Sequence, residues 1–246
     1  MIRLLGILAF LAHVPGVAAA VDCRDIVYLG NSYTVCEVDP ATEQIRLFLH
    51  DEAQEILGQF QDVAKHVTPE FDLSFGMNAG MYHADRSPVG LYIEDGLQKQ
   101  RLITSEGPGN FGLLPNGVFC MRDDRADVVE TFAYQASDPA CRYATQSGPM
   151  LVIDGALHPR FLENSTSRHI RNGVGTSADG ALVVFAISNN VVTFHEFGSL
   201  FRDHLNLPQA LYLDGKVSRL HAPQLERSDI GFLLGPIVGV LTPRAQ

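Results

Sequence analysis

Residues 144–175, ATQSGPMLVIDGALHPRFLENSTSRHIRNGVG, space a hydroxyl, backbone amides and guanidinium groups between short apolar runs. Ser147-Gly148-Pro149 makes a turn before the apolar Met150 to Ile153, and Arg171-Asn172-Gly173-Val174-Gly175 closes the stretch. This is how a pocket wall reads when a rigid sheet carries its binding groups on connecting loops. Ser147 does not read as a nucleophile: Thr145 and Pro149 stand where the G-x-S-x-G elbow requires glycines. Ser147 and the Gly148 N–H can instead donate to a sugar hydroxyl or a phosphate oxygen, the alternative being a plain turn. Arg168, His169 and Arg171 form the only local basic cluster. An arginine fork matches paired phosphate oxygens, against the reading of a solvated charged surface.

His83 and Asp85 lie two apart and share a face if extended. They could do acid/base work or ligate a cation, or belong to a solvated loop. Asp214 is a candidate site carboxylate, or only the first residue of a hairpin turn. Three other Asp-Gly pairs, Asp95-Gly96, Asp154-Gly155 and Asp179-Gly180, suit type I′ turns. Gly107 to Gly112, GPGNFG, has dinucleotide-loop spacing but runs through Pro115 into another strand. Without a helix to meet phosphate it reads as a glycine-rich bend near a pocket.

The elements that must position these groups follow from periodicity and turn residues. Asp51 to Val67 reads as a helix ended by Pro69, and Phe197 to Leu207 as a second ended by Pro208. Strands are expected at Ser32 to Val38, Ile45 to His50, Leu73 to Asn78, Val89 to Ile93, Gly117 to Met121 and Val128 to Phe132. Others are Met150 to Ile153, Val174 to Ser177, Leu182 to Ser188, Val191 to His195, Ala210 to Leu213 and Val217 to Leu220. The fold class is α+β: a twisted mixed β-sheet with hairpins and about two main helices.

Residues 1–20 read as an export signal, with Arg3 at the basic end, Leu4 to Leu11 apolar, and small residues at Val17 to Ala20. Val21 and Asp22 separate Cys23 from those small residues, which argues against a lipid-anchored cysteine. Residues 21–246 are expected to form one domain, periplasmic or secreted, with no membrane span. The formal charge is −10, and losing Arg3, the one charge of the signal, makes it −11. An acidic chain with no basic run argues against nucleic acid as a partner. Cys23, Cys36, Cys120 and Cys141 have no zinc-ligand spacing. Of three possible pairings, Cys23–Cys36 and Cys120–Cys141 close short loops, each worth about 3 kcal/mol in the chain-entropy model. Asn164-Ser165-Thr166 is a glycosylation sequon.

In order and spacing, four segments resemble the phosphodiester glycosidase family, over roughly Phe71 to Leu220. They are Asn78-Ala79-Gly80-Met81-Tyr82, Ser147-Gly148-Pro149 through Asp154-Gly155, Arg171 through Gly175, and Leu213-Asp214-Gly215. PNGVF at 115–119 and ATQSGPMLV at 144–152 look closest to a compact bacterial branch. One departure is Lys216-Val217-Ser218-Arg219, where many members continue with two glycines and paired serines.

The resemblance implies a hydrolase acting on a sugar-1-phosphodiester or a related glycan. Asp214 would be the catalytic carboxylate, with His83 and Asp85 as second partners. Asn78, Ser147, Gly148, Arg171 and Asn172 would bind substrate. No cofactor is expected, and a divalent cation is left open. Arg171→Ala is expected to abolish turnover with the fold intact. The rival is a non-catalytic envelope protein binding a phosphosugar or exopolysaccharide through the same pocket.

Overall fold

Short apolar strands broken by turn residues assemble into three antiparallel sheets. The computed structural model describes residues 21–215 and 217–244, so the expected signal and Lys216 lie outside the described residues. A seven-stranded sheet runs in the order Asp22–Tyr28, Asn31–Val38, Val183–Ser188, Asn172–Thr176, Gln209–Tyr212, Met150–Ile153 and Ala156–Leu157. A five-stranded sheet runs Arg227–Ser228, Leu220–Ala222, Phe71–Asn78, Ile237–Pro243 and Gln44–Phe48. Another runs Leu97–Gln100, Tyr92–Glu94, Tyr143–Ser147, Gly117–Met121 and Ala126–Glu130.

Every pairing among these strands is antiparallel, so the expected mixed sheet is corrected to three antiparallel ones in a sheet-dominated fold. Each sheet sends one phenylalanine to the centre. Phe75 and Phe185 lie 4.6 Å apart, Phe119 and Phe185 5.8 Å, and all three are fully buried. Truncating any of them to alanine would cost about 3–5 kcal/mol, because no other group fills that space.

Among the described residues three α-helices are present rather than two, and their bounds show where periodicity misled. The expected helix Asp51–Val67 is helical only over Phe60–Val67. Gln54 and Gly58 take positive φ, and the Asp51 carboxylate accepts the Ala53 and Glu55 N–H groups, which fixes a turn instead. The second helix begins earlier than expected, spans Phe194–Ser199 and continues as a π-turn over Leu200–His204. Thr193 and Glu196 form a capping box there, which displaces the strand expected at Val191–His195. A third, unexpected helix, Thr131–Ser137, starts where the Glu130 carboxylate accepts the Phe132 and Ala133 N–H groups.

Both favoured disulfides are present, and Cys23 and Cys36 are directly opposed across their strand pair. No helix among the described residues is long and apolar enough to cross a membrane.

A buried histidine, His158, and a half-buried one, His221, give the fold an acid dependence. His158 Nδ1 accepts the Arg160 N–H, and His221 lies against Ser228 Oγ and the Leu73 carbonyl. Burial lowers both pKa values below the ordinary 6.5. The unfolded chain therefore takes up these protons first as pH falls. The stability that the neutral rings contribute is present above about pH 6.5 and is lost as pH drops through that value toward the folded pKa values. The urea midpoint is expected to fall between pH 7.5 and 5.5, and His158→Asn to flatten that slope.

Candidate active site

The end of strand Phe71–Asn78, the start of Asn172–Thr176 and the end of Gln209–Tyr212 meet through two buried carboxamides. Asn78 Nδ2 donates to the Asp214 carbonyl at 2.7 Å and reaches Asn172 Oδ1 at 3.4 Å, while Asn78 Oδ1 accepts the Arg219 N–H at 2.9 Å. Asn172 Nδ2 donates to the Asn78 carbonyl at 3.1 Å, and its Oδ1 accepts the Ser218 hydroxyl at 3.2 Å. Both side chains are fully buried. Their capacity is thus committed to protein partners, and they fix the backbone on either side of Asp214.

Asp214-Gly215 is not a hairpin turn. Asp95-Gly96 and Asp154-Gly155 take positive φ at both residues, and Asp179-Gly180 only at its glycine. Asp214-Gly215 takes it at neither. Glycine is required here by contact instead: a Cβ on Gly215 would stand 1.3 Å from the Tyr212 hydroxyl oxygen. Gly215→Ala is expected to displace Tyr212 and the Asp214 segment at a cost of about 1–3 kcal/mol, read as a lower melting temperature.

Arg171 is 1% exposed, with Nε donating to the Val192 carbonyl at 2.9 Å and Nη2 to the Ser167 carbonyl at 3.1 Å. Its Cζ lies 3.6 Å from the centroid of the Phe194 ring and 5.5 Å from that of Tyr212. Burial lowers its pKa, and the Tyr212 hydroxyl beside it acts in the opposite direction. Burial also pushes Tyr212 up to about 12; Arg171 pulls that value down and Asp214 raises it. At neutral pH the phenol is therefore a donor.

Two further residues join the cluster that the motifs did not single out. Arg219 is 5% exposed; its guanidinium donates to Gln59 Oε1 at 3.2 Å and to the Phe232 carbonyl, and among the described residues its Nε has no hydrogen-bond partner. Tyr82 lies within electrostatic reach of both Asp214 and Arg219, and burial raises its pKa. For Tyr82 the available signal was its place at the end of the Asn78–Tyr82 segment. Arg219 had none beyond its place in the divergent segment.

The Ser147-Gly148-Pro149 turn adjoins this cluster, because the Pro149 carbonyl accepts the Tyr212 N–H at 3.1 Å. Thr145 Oγ1 accepts the Gly80 N–H at 3.2 Å, and Ser147 shares its face two residues on. Ser147 is fully buried, and among the described residues its hydroxyl has no hydrogen-bond partner. Gly148 abuts Asn116 and the Phe111 carbonyl, which ties the turn to the glycine-rich bend. That bend borders a cavity of about 480 Å³ that His83 also lines.

His83 and Asp85 are exposed, on a turn that closes on itself. His83 N–H donates to the Ser87 carbonyl, and the Ser87 hydroxyl holds Asp85 below the usual carboxylate range. Among the described residues no hydrogen bond or ion pair joins the side chains of His83 and Asp85 to Arg171 or Asn172. Among the described residues no group of three His, Cys, Asp or Glu could hold a metal ion. A cavity of about 870 Å³ beside Tyr134 and Arg142 shares no residue with the Asp214 cluster.

Three antiparallel sheets thus bring a polar cluster of Asn78, Asn172, Arg171 and Asp214 to the ends of their strands. Residues 71–221 match the family described as phosphodiester glycosidase, and the chain belongs to that family. It is 35% identical over 205 residues to YigE of Escherichia coli (strain K12), covering 82% of this chain and 79% of YigE. Its fold is similar to the catalytic domain of zebrafish N-acetylglucosamine-1-phosphodiester α-N-acetylglucosaminidase, auto-inhibited by pro-peptide. That match has a TM-score of 0.60 and 13% identity over 89% of this chain and 81% of that one. A hypothetical protein from Synechocystis has a TM-score of 0.61 at 12% identity over 90% of this chain, which spans 62% of that protein.

Proposed function

We propose that this chain is an exported hydrolase cleaving the bond between a sugar's anomeric carbon and a phosphodiester oxygen. Water's oxygen bonds to the anomeric carbon, and the carbon–oxygen bond to phosphate breaks. The phosphomonoester leaves with the electron pair and the water proton goes to solvent. One observation carries the reading beyond family membership. Arg171 and Arg219 are both buried, and their side-chain hydrogen bonds among the described residues go to neutral oxygens. Glu196 acts on Arg171 and Asp229 on Arg219 only through space; a buried cation without a hydrogen-bonded anion is costly, and a diester phosphate would supply one.

In this reading Arg171, the Ser147 hydroxyl and the Gly148 N–H hold the phosphate, whose departure needs charge stabilisation more than strong acid catalysis. Asp214 activates water or steadies the oxocarbenium-like sugar. Asn78 and Asn172 position the Asp214 segment, while His83 and Asp85 take no step. Residues 1–20 would serve as the export signal, and residues 21–246 as one domain without a cofactor.

Hydrolysis of a panel of sugar-1-phosphodiesters in 18O-labelled water, with and without chelator, tests this. Label is expected in the released sugar, and label in the phosphomonoester would overturn the assigned bond. Tight binding without release across the panel would instead establish the rival reading of a binding protein.

A further inference from the structure

The loop following strand Arg227–Ser228 presents three large apolar side chains to solvent: Ile230 at 91%, Phe232 at 87% and Leu233 at 45% exposure. Exposure on this scale in successive residues marks a surface built to meet something apolar. The backbone beneath them is braced rather than frayed. Asp229 N–H donates to the Leu220 carbonyl at 2.9 Å, Gln59 Nε2 to the Gly231 carbonyl at 2.8 Å, and Leu234 N–H to the Gly58 carbonyl at 2.9 Å.

The same loop sits on a cation. Arg219 donates to the Phe232 carbonyl, and Gly231 lies over the guanidinium, where a Cβ would come within 3.3 Å of Nη1. Arg219 in turn leads to the catalytic candidate, because its N–H binds Asn78 and Asn78 binds the Asp214 carbonyl. A buried guanidinium with an unpartnered Nε, roofed by exposed hydrocarbon side chains, suits an amphiphile whose anionic group enters first.

We propose that the alcohol half of the diester is a hydrocarbon chain, alkyl or isoprenoid, that runs over Ile230, Phe232 and Leu233 while its phosphate lies by Arg171 and Arg219. The placement of the phosphate rests on the hydrolase reading above. The apolar surface supplies affinity for the leaving half of the substrate, so it should act on discrimination between alcohols and not on the bond-breaking step.

The test compares two diesters of the sugar 1-phosphate that the panel selects, one with methanol and one with dodecanol, below the micellar concentration. Wild-type protein is expected to favour the dodecyl diester by about tenfold or more in kcat/KM. The double variant Ile230→Ser/Phe232→Ser should bring that ratio to about one and leave the methyl diester unchanged. Equal rates in the wild type, or a preference that survives the double variant, would overturn the proposal. Should no diester of the panel turn over, calorimetric titration with dodecyl phosphate separates the two ideas. Binding weakened about tenfold by the double variant would sink the hydrolase reading and keep the apolar site, whereas binding unaffected by it, or none to the wild type, would sink the site.

Discussion

Asp214→Asn is expected to lower kcat by about 10²–10⁴-fold, the range that a positioned general acid or base contributes. The backbone of Asp214 is held independently of its carboxylate, through its N–H on the Ala79 carbonyl at 3.2 Å and its carbonyl on Asn78 at 2.7 Å. Asparagine therefore occupies the same place, and the melting temperature should move by no more than about 4 °C. Steady-state kinetics on the selected diester, beside a thermal melt, reads both. Wild-type turnover in the asparagine variant would remove Asp214 from the chemistry and leave the phosphate-side residues without a partner.

Much of this site was legible because its residues sit at the ends of strands that local pattern identifies. Strands holding Asn78, Asn172 and Tyr212 fall within a few residues of their expected bounds, whereas the strand Tyr143–Ser147 was not expected, because its last residue read as the start of a turn. Their convergence was not legible. Asn78 and Asn172 are 94 residues apart in the chain, and nothing local says that one carboxamide accepts the other. Roles were the harder inference. A buried asparagine and a ligand-binding asparagine look alike in sequence, since only the partner of each carboxamide atom tells them apart.

Asp214-Gly215 shows the same limit from the other side. Its composition matches the hairpin pairs, yet its glycine answers to the Tyr212 hydroxyl and not to a positive φ. The helix expected over residues 51–67 failed for a complementary reason. Its apolar spacing was sound, with Leu57 buried as well as Phe60, but Asp51 turned the chain locally and Gly58 broke it, so the helix begins only at Phe60.

Arg171 calls for a different pair of variants from those the sequence suggests. Alanine removes the side-chain donor to the Ser167 carbonyl and one of two donors to the Val192 carbonyl, which keeps the His169 N–H, and it removes the cation stacked on Phe194. Losing those contacts should cost about 2–4 kcal/mol, after allowing for the relief of a buried charge. Arg171→Ala is thus expected to lose activity and stability together, which corrects the expectation of an intact fold. Arg171→Lys keeps the charge but not the planar fork. It should lower kcat/KM by about 10²–10³-fold, as removing one oriented donor to a developing anion does, with a smaller shift in the urea midpoint. Added guanidinium ion then discriminates the roles in the alanine variant. Partial recovery of turnover places the charge at the phosphate, whereas recovery of the urea midpoint alone would make Arg171 a brace for the 167–192 segment and leave Arg219 as the cation that the substrate meets.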